Sequence, residues 1–540
     1  MLLLAVFCAV YFLSFASGLP PSRDLEFGVA RDPSRFPDLY EASVIELQQG
    51  LDDCLFTSVD LVKAYFARIE EVNLKGPALR AVLEINPSAL EQAAALDKER
   101  KLLGKRSPLH GIPILLKDNI ATVASEGKAN LSEFAAYRGN LPNGWSGIGG
   151  QTTNAYFPNA DSCGSSSGSG VAASIGLVTV TLGSDTDGSI TCPSSYNNAV
   201  GIRPTLGLTS RAGVVPISAN QDSIGPMTRS VSDAAIVLSV VAGKDPNDNF
   251  TVAQPAVVPD YTKALNLNAL QGKRIGVPRQ VFLQERLIGP GVIDVFEEAL
   301  ETIRELGATV VDPANLPSAQ EILVSDNETI VLDTDFKVQL NAYFESLLEN
   351  PSGVRSLADL IAFNNAHPEL EKPVNFTDQS LLIDSERTNG FNATYFQALA
   401  FDHDLGRTRG IDAALRDHNL DALILPATGL TWTPPALAGY PIITGAQLPL
   451  SFTPPHLTND FIVPLGFFFD NVTIGRAGPL TVYPAPGVPF GLSFLAGAFS
   501  EFELVGYGFA YEQKTKTRIA RRAYPAAIPK TQLQDVIGLL

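Results

Sequence analysis

Residues that hold metals or build disulfide frameworks are scarce in this chain. Its 540 residues include 5 histidines and 4 cysteines. No H-E-x-x-H or C-x-x-C spacing occurs, and the sequence predicts neither a metal nor a cofactor. Cys54, Cys163 and Cys192 lie outside the first 18 residues, and an odd number argues against a dense disulfide framework. We expect small buried thiols, with a Cys163–Cys192 bridge left open.

Positive charge and long apolar runs are also limited. The 57 acidic and 39 basic residues give a net charge of −18, which disfavours nucleic acid or an anionic membrane as a partner. The apolar run at residues 2–15 is short for a membrane span, and small residues follow it at Ala16, Ser17 and Gly18. Residues 1–18 are therefore predicted to be a signal peptide, and the protein is expected to be secreted.

Sequons agree with this expectation. Six N-x-S/T sites occur in the sequence, which predicts a glycoprotein once the chain has been exported. They begin at Asn130, Asn249, Asn327, Asn375, Asn392 and Asn471.

The pattern of apolar residues divides the rest of the chain into two regions. Residues 19–105 are predicted to be helical, with capping boxes at Thr57/Asp60 and Ser88/Glu91. Residues 106–540 alternate short apolar strands with helices, including a strand–helix–strand unit over 274–312. Because the strands are continuously apolar, we expect an α/β fold with one large, buried sheet.

Two turns rich in serine and glycine carry the candidate chemistry. They are CGSSSGSG at residues 163–170 and GSDTDGSITCP at residues 183–193. Serine on a tight turn can present a hydroxyl nucleophile beside free backbone N–H groups. Lys117 follows the apolar run 112–116 and could act as a base if burial lowers its pKa. The alternative is a Ser-His-Asp hydrolase, because Gly164–Gly168 matches G-x-S-x-G.

The chain resembles the amidase signature family from about residue 40 to residue 530. The motifs that carry the resemblance are HGIPILLKDN, GGQT, CGSSSGSG, GSDTDGSITCP, VGIRPTLGLTSRAGVVPIS and QDSIGPMTRSVSDAA. The resemblance implies a large mixed sheet covered by helices on both faces. It also implies a hydrolase that cleaves carboxamide bonds of small molecules and releases ammonia or an amine.

The same resemblance assigns roles to residues. Ser189 would be the nucleophile, Ser165 the bridging serine after a cis peptide bond from Gly164, and Lys117 the base. Ser166 would support this network. The oxyanion hole would be built from four backbone N–H groups, those of Thr186, Asp187, Gly188 and Ser189.

The chain departs from the family pattern at two places. A segment of a few tens of residues is missing near residues 122–125, and residues 445–462 form an insertion with no counterpart. A skipped segment and a retained intron in the gene model would explain both. The alternatives are therefore an amidase-like protein impaired by the deletion, or an esterase that uses the same site. The substrate pocket is predicted to come from the N-terminal helical region and from residues 320–400.

Overall fold

A mixed sheet of eleven strands runs through the computed structural model, which describes residues 35–122, 127–289, 291–447 and 476–537. The strands are β1 (Val82–Glu84), β2 (Ile114–Lys117), β3 (Lys128–Ala129), β4 (Trp145–Ser146), β5 (Gly150–Gln151), β6 (Val180–Asp185), β7 (Val200–Arg203), β8 (Ser223–Thr228), β9 (Arg274–Gly276), β10 (Thr309–Val311), β11 (Ala422–Pro426), β12 (Ile442–Gln447) and β13 (Gly491–Leu495). The order in the large sheet is β1-β3-β2-β6-β8-β7-β12-β13-β11-β9-β10, and β4 pairs with β5 separately.

Helices occupy most of the remaining chain. The α-helices are α1 (Val44–Asp52), α2 (Ser58–Val72), α3 (Ala89–Leu103), α4 (Ser167–Ser174), α5 (Thr191–Tyr196), α6 (Val231–Val241), α7 (Glu285–Ile288), α8 (Val292–Glu305), α9 (Ala319–Ile322), α10 (Asn327–Ser346), α11 (Leu357–Ala366), α12 (Pro368–Glu371), α13 (Ser380–Glu386), α14 (Ala393–His403), α15 (Asp412–Asp417), α16 (Thr433–Ala438), α17 (Glu501–Thr515) and α18 (Leu533–Val536). None of the helices in these ranges is long and apolar enough to cross a bilayer.

Both faces of the sheet are covered, as the resemblance implied. Along β11, Ala422 and Ile424 join a core that includes α6, α8 and α17. Leu423 and Leu425 point to the other face and join a core that includes α9, α15 and α16. Alternate side chains of one strand are therefore buried on opposite faces, which is why the strand is apolar throughout.

Local sequence signals explain most elements. The predicted strand–helix–strand unit is β9–α8–β10, whose two strands are parallel neighbours. The Thr57/Asp60 capping box forms at the start of α2. The Ser88/Glu91 box was a wrong prediction, because the Ser88 side chain makes no capping bond at α3. The N-terminal region is also not purely helical, since β1 lies within it and pairs with β3.

The topology brings two strand ends to one place. β2 and β6 are parallel neighbours, with Leu116 opposite Leu182. Their carboxyl ends, Lys117 and Asp185, therefore lie at the same edge of the sheet. The turn before α4 and the turn between β6 and α5 meet there as well.

Several sequence predictions fall outside the described residues. The signal peptide at residues 1–18 lies outside them, as do Asn471 and residues 448–462 of the insertion. Of the segment near the deletion, Thr122 is described and residues 123–126 are not. The deletion and the insertion therefore stay predictions.

Candidate active site

Lys117 is completely buried at the end of β2 and contacts the first serine-rich turn. Its Nζ donates to Ser165 Oγ at 2.7 Å and to Ser184 Oγ at 2.8 Å. A third bond, at 3.1 Å, goes to the Ser184 carbonyl oxygen. Each of these acceptors is uncharged. The geometry fits a lysine that can hold or release a proton.

Burial changes the acid–base chemistry of this lysine. Removal from water lowers the pKa of Lys117 to about 7, although the carboxylates of Asp185 and Asp222 oppose the change. Desolvation penalises the ammonium form, because none of its direct partners carries a negative charge. A large fraction of Lys117 is therefore neutral at neutral pH.

Gly164 and Ser165 are joined by a cis peptide bond, as the resemblance implied. A Cβ on Gly164 would lie 2.2 Å from Ser132 Oγ, so the turn has no room for a larger residue at this position. The Ser132 N–H donates to the Ser165 carbonyl oxygen at 3.0 Å. These contacts fix the backbone that aims the Ser165 hydroxyl at Lys117.

Ser189 lies on the second turn, and the two turns are tied together. The Ser166 N–H donates to the Ser189 carbonyl oxygen at 3.2 Å, and the Ser166 hydroxyl donates to the Ser184 carbonyl oxygen at 3.1 Å. Ser189 is 8 % exposed, whereas Ser165 is fully buried. Ser189 is thus the one of the pair that a substrate can meet, and Ser166 has the supporting place predicted for it.

A buried carboxylate shapes the turn that carries Ser189. Asp185 accepts backbone N–H bonds from Gly188 at 3.0 Å and from Ile190 at 2.6 Å. It also pairs with Arg203 at 2.9 Å, and both side chains are fully buried. Arg203 donates in addition to the carbonyl oxygens of Thr186 and Gln221. The turn is therefore held from inside before any substrate arrives.

The bonds of Asp185 decide which backbone N–H groups are free to form the predicted oxyanion hole. The Gly188 N–H points to Asp185, so it is engaged in this structure. The N–H groups of Asp187 and Ser189 make no hydrogen bond to another residue within the described ranges. Gly188 has φ +90°, and a Cβ there would lie 2.7 Å from the Trp432 ring. Gly188 therefore shapes the turn, while its neighbours present free donors.

The alternative that uses histidine finds no support in the geometry. His110 bonds to the backbone of Arg106 and Leu96, away from both turns. Within the part of the chain that the structure describes, His367, His403 and His418 make no hydrogen bond to Ser165, Ser166 or Ser189, and His456 lies outside that part. Across the described ranges, no three acidic, histidine or cysteine side chains are grouped so that they could hold a metal ion.

Cys163 and Cys192 form a disulfide bond, so the expectation of free thiols was wrong for them. The bond joins the residue before Gly164 to α5, which begins just after Ser189. The two serine-rich turns fold against each other and place both cysteines at one site. Their spacing along the chain does not by itself show that they are close. Cys54 is a free thiol but exposed, so the expectation of a buried thiol was wrong there as well.

Comparison with known proteins agrees with the motifs. The Amidase family model matches residues 60–126 and 123–505. A protein of Arthroderma benhamiae named "Putative amidase" is 39% identical over 93% of this chain and 90% of its own length. The chain belongs to the amidase family. It is an enzyme that hydrolyses amide C–N bonds.

Solved structures extend the likeness to the fold. The peptide amidase of Stenotrophomonas maltophilia is 37% identical, with a TM-score of 0.77 over 91% of this chain and 99% of that one. An amidase family protein from Bacillus anthracis is 29% identical, with a TM-score of 0.75 over 91% and 93% of the two chains. The fold is therefore the amidase signature fold.

Sequence reasoning missed the residues that organise the enzyme's site. Ser184, Asp185 and Arg203 were not predicted to have roles, yet they contact Lys117 or hold the turn that carries Ser189. Ser184 and Asp185 lie inside the GSDTDGSITCP motif, and this position in the sequence could have indicated their roles. Arg203 stands inside the VGIRPTLGLTSRAGVVPIS motif, but its contact with Asp185 joins β7 to another strand of the sheet, and the motif did not indicate that pairing.

Proposed function

We propose that this amidase works through Ser189, Ser165 and Lys117. The observation that carries the proposal is the 2.7 Å bond between Lys117 Nζ and Ser165 Oγ, made by a lysine whose burial lowers its pKa to about 7. A base with a pKa near the working pH is suited to proton transfer. The backbone bond between Ser166 and Ser189 supports the placement of Ser189 beside Ser165.

Neutral Lys117 accepts the Ser165 proton as Ser165 accepts the proton of Ser189. The Ser189 oxygen then attacks the amide carbonyl carbon, and the oxyanion is stabilised by free N–H groups of the turn. The relay runs in reverse to protonate the departing nitrogen, which leaves as ammonia or an amine. The same relay then removes a proton from a water molecule. That water attacks the ester on Ser189, and its hydrolysis releases the acid.

Simple aryl and alkyl amides, together with matched esters, test this proposal. We expect Ser189→Ala and Lys117→Met to lower kcat/KM for amides by roughly a thousandfold or more. Ser88→Ala is the matched control, because Ser88 is exposed and its side chain makes no capping bond. Equal amide turnover by Ser189→Ala and the wild type would refute the assignment. Turnover of esters without amides would favour the esterase alternative.

We also propose that the protein is secreted and glycosylated. The disulfide supports this, because such bonds persist in oxidising compartments. Asn249, Asn375 and Asn392 are exposed and can act as sequon acceptors, whereas Asn130 is fully buried. Mass spectrometry of the protein from culture medium should find glycans at exposed sites, and not at Asn130. Retention inside the cell would contradict the proposal.

The substrate is proposed to be a small amide rather than a nucleic acid or a membrane component, as the net charge of −18 favours. Peptide and amino-acid amides are the first class to test. One solved structure with 37% identity is a peptide amidase, which supports that choice.

A further inference from the structure

Three acidic side chains form a group that reaches the turn that carries Ser189, since Asp187 belongs to that turn, Glu328 shares Gln221 with it, and Asp402 interacts electrostatically with Glu328. Asp187 lies two residues before Ser189 on that turn, Glu328 lies in the first turn of α10, and Asp402 lies near the end of α14. We refer to Asp187, Glu328 and Asp402 as the acidic cluster. Glu328 lies within residues 320–400, which the sequence predicted to contribute to the substrate pocket. Asp402 lies just after that segment.

Specific contacts bring the acidic cluster to the active site. Gln221 Nε2 donates to Glu328 Oε1 at 2.7 Å and lies 3.5 Å from the Thr186 carbonyl oxygen. Thr433, at the start of α16, donates to Asp187 Oδ2 at 3.2 Å. α14, which carries Asp402, packs against both α10 and α16. Asp187 belongs to the turn that carries Ser189, Glu328 shares Gln221 with that turn, and Asp402 lies on the helix that packs against α10 and α16.

The carboxylates are also close enough to repel one another. Burial, and then the charge of Glu328, raise the pKa of Asp402 to about 8. Burial and the charge of Glu328 likewise raise the pKa of Asp187 well above its usual range. Burial and nearby like charges both disfavour the charged form of a carboxylate and so raise its pKa.

Two members of the acidic cluster, Asp402 and Asp187, have carboxylate oxygens without the partners that other buried carboxylates have. Asp402 is only 3 % exposed, yet neither of its carboxylate oxygens has a hydrogen-bond partner among the described residues. Asp187 Oδ1 is likewise buried and unpaired there. By contrast, Asp222 accepts bonds from Thr186 and from two backbone N–H groups. Buried polar groups are normally satisfied, so unpaired carboxylates indicate a missing cationic partner.

The protein's own cation does not fill this role. Arg203 lies in the electrostatic range of Asp187 and Glu328, but both of its terminal nitrogens are bonded to Asp185 or to backbone carbonyl oxygens, and none of its hydrogen bonds goes to the acidic cluster. Among the described residues, the acidic groups are not arranged to hold a metal ion. An aromatic surface is present instead, because the half-buried Trp432 packs over Gly188. Carboxylates beside an indole ring form a suitable environment for an organic ammonium group.

We propose that the acidic cluster binds a protonated amino group of the substrate, so that the enzyme prefers amides that also carry a primary amine. This inference rests on the proposed function of Ser189, because it concerns the substrate of that site. The amine would pair with Asp402 and Glu328 while the amide carbonyl lies at Ser189.

A series of matched substrates tests this preference. Each aminoalkanamide is compared with the alkanamide in which methyl replaces the ammonium: glycinamide with propanamide, β-alaninamide with butanamide, 4-aminobutanamide with pentanamide, and 6-aminohexanamide with heptanamide. The series varies the distance between amine and amide. We expect at least one spacer to give a kcat/KM about tenfold or more above its neutral partner, as a hydrogen-bonded charge provides.

Variants of the acidic cluster identify its contribution. Asp402→Asn and Glu328→Gln should lower the amine-to-methyl ratio of kcat/KM by roughly ten- to a hundredfold. Asp326→Asn is the matched control, because Asp326 is exposed, starts the same helix and makes no side-chain capping bond. It should keep the ratio of the wild type. Thermal unfolding of each variant verifies that the fold is retained.

Binding to the Ser189→Ala variant, measured by calorimetry, separates this inference from the proposed function. Tighter binding of the aminoalkanamides, lost in the Ser189→Ala/Asp402→Asn double variant, would support the acidic cluster even if Ser189 had another role. A ratio of one or less at every spacer, or the same ratio in both cluster variants as in the wild type, would overturn the inference. Ser189-dependent turnover of the neutral amides would then leave the proposed function intact.

Discussion

At the scale of single residues, the active site depends on how Lys117 is buried. An exposed lysine is an ammonium ion at neutral pH and cannot accept a proton. Lys117 has no exposed surface, and the acceptors of its bonds are hydroxyl and carbonyl oxygens of Ser165 and Ser184. Burial therefore converts an ordinary lysine into a candidate base.

This burial predicts the pH dependence of the enzyme. Since the base must be neutral, kcat/KM should rise about tenfold per pH unit below a pH of about 7 and level off above it. A plateau that begins near pH 10 would contradict the role of burial.

The same group affects stability with a defined sign. The pKa is about 7 in the folded protein and 10.5 for an ordinary lysine, so between these values the unfolded chain binds more protons. The free energy of unfolding of the wild type should therefore rise with pH across this window, relative to Lys117→Met. Urea unfolding of both proteins at several pH values measures the difference.

At the scale of structural elements, the turn between β6 and α5 is held by one buried ion pair. Asp185 accepts three backbone N–H bonds from the turn and pairs with Arg203 of β7. Because these bonds fix the free N–H groups beside Ser189, the shape of the proposed oxyanion hole depends on the buried side chain of Asp185.

Replacing Asp185 should therefore affect stability and catalysis together. We expect Asp185→Asn to lower the free energy of unfolding by about 3–5 kcal/mol, because Arg203 is left buried without its counter-charge. Urea unfolding and kcat would both show the loss. Glu70→Gln is the control, since its pair with Lys75 is exposed and should contribute nothing measurable. Normal stability of Asp185→Asn would contradict this account.

At the scale of the whole molecule, the disulfide links the two turns into one unit. Cys163 and Cys192 are 29 residues apart in sequence and enclose α4, β6 and the nucleophile turn. The crosslink closes around the active site and reduces the freedom of the unfolded chain in that segment.

Removing the crosslink should destabilise the protein. For a loop of this length, the double variant Cys163→Ala/Cys192→Ala should lose about 3–4 kcal/mol of unfolding free energy. Urea unfolding with and without a reducing agent tests this, because the reductant should affect the wild type and not the double variant. Cys54→Ala, at an exposed free cysteine, should behave as the wild type does. Insensitivity of the wild type to reductant would exclude the stabilising role.

The sequence by itself determined the two serine-rich turns, Lys117, the strand–helix alternation and the family. These features depend on local chemistry: apolar runs predict buried strands, and glycine allows tight turns where other residues do not fit. Only the tertiary structure decided that Lys117 contacts Ser165, that Arg203 holds Asp185, that the two cysteines are bonded and that Asp402 lies within electrostatic range of Glu328. Each of these pairs joins different elements, 18 to 74 residues apart in sequence, and only the paths of the chain through the sheet and helices bring them together.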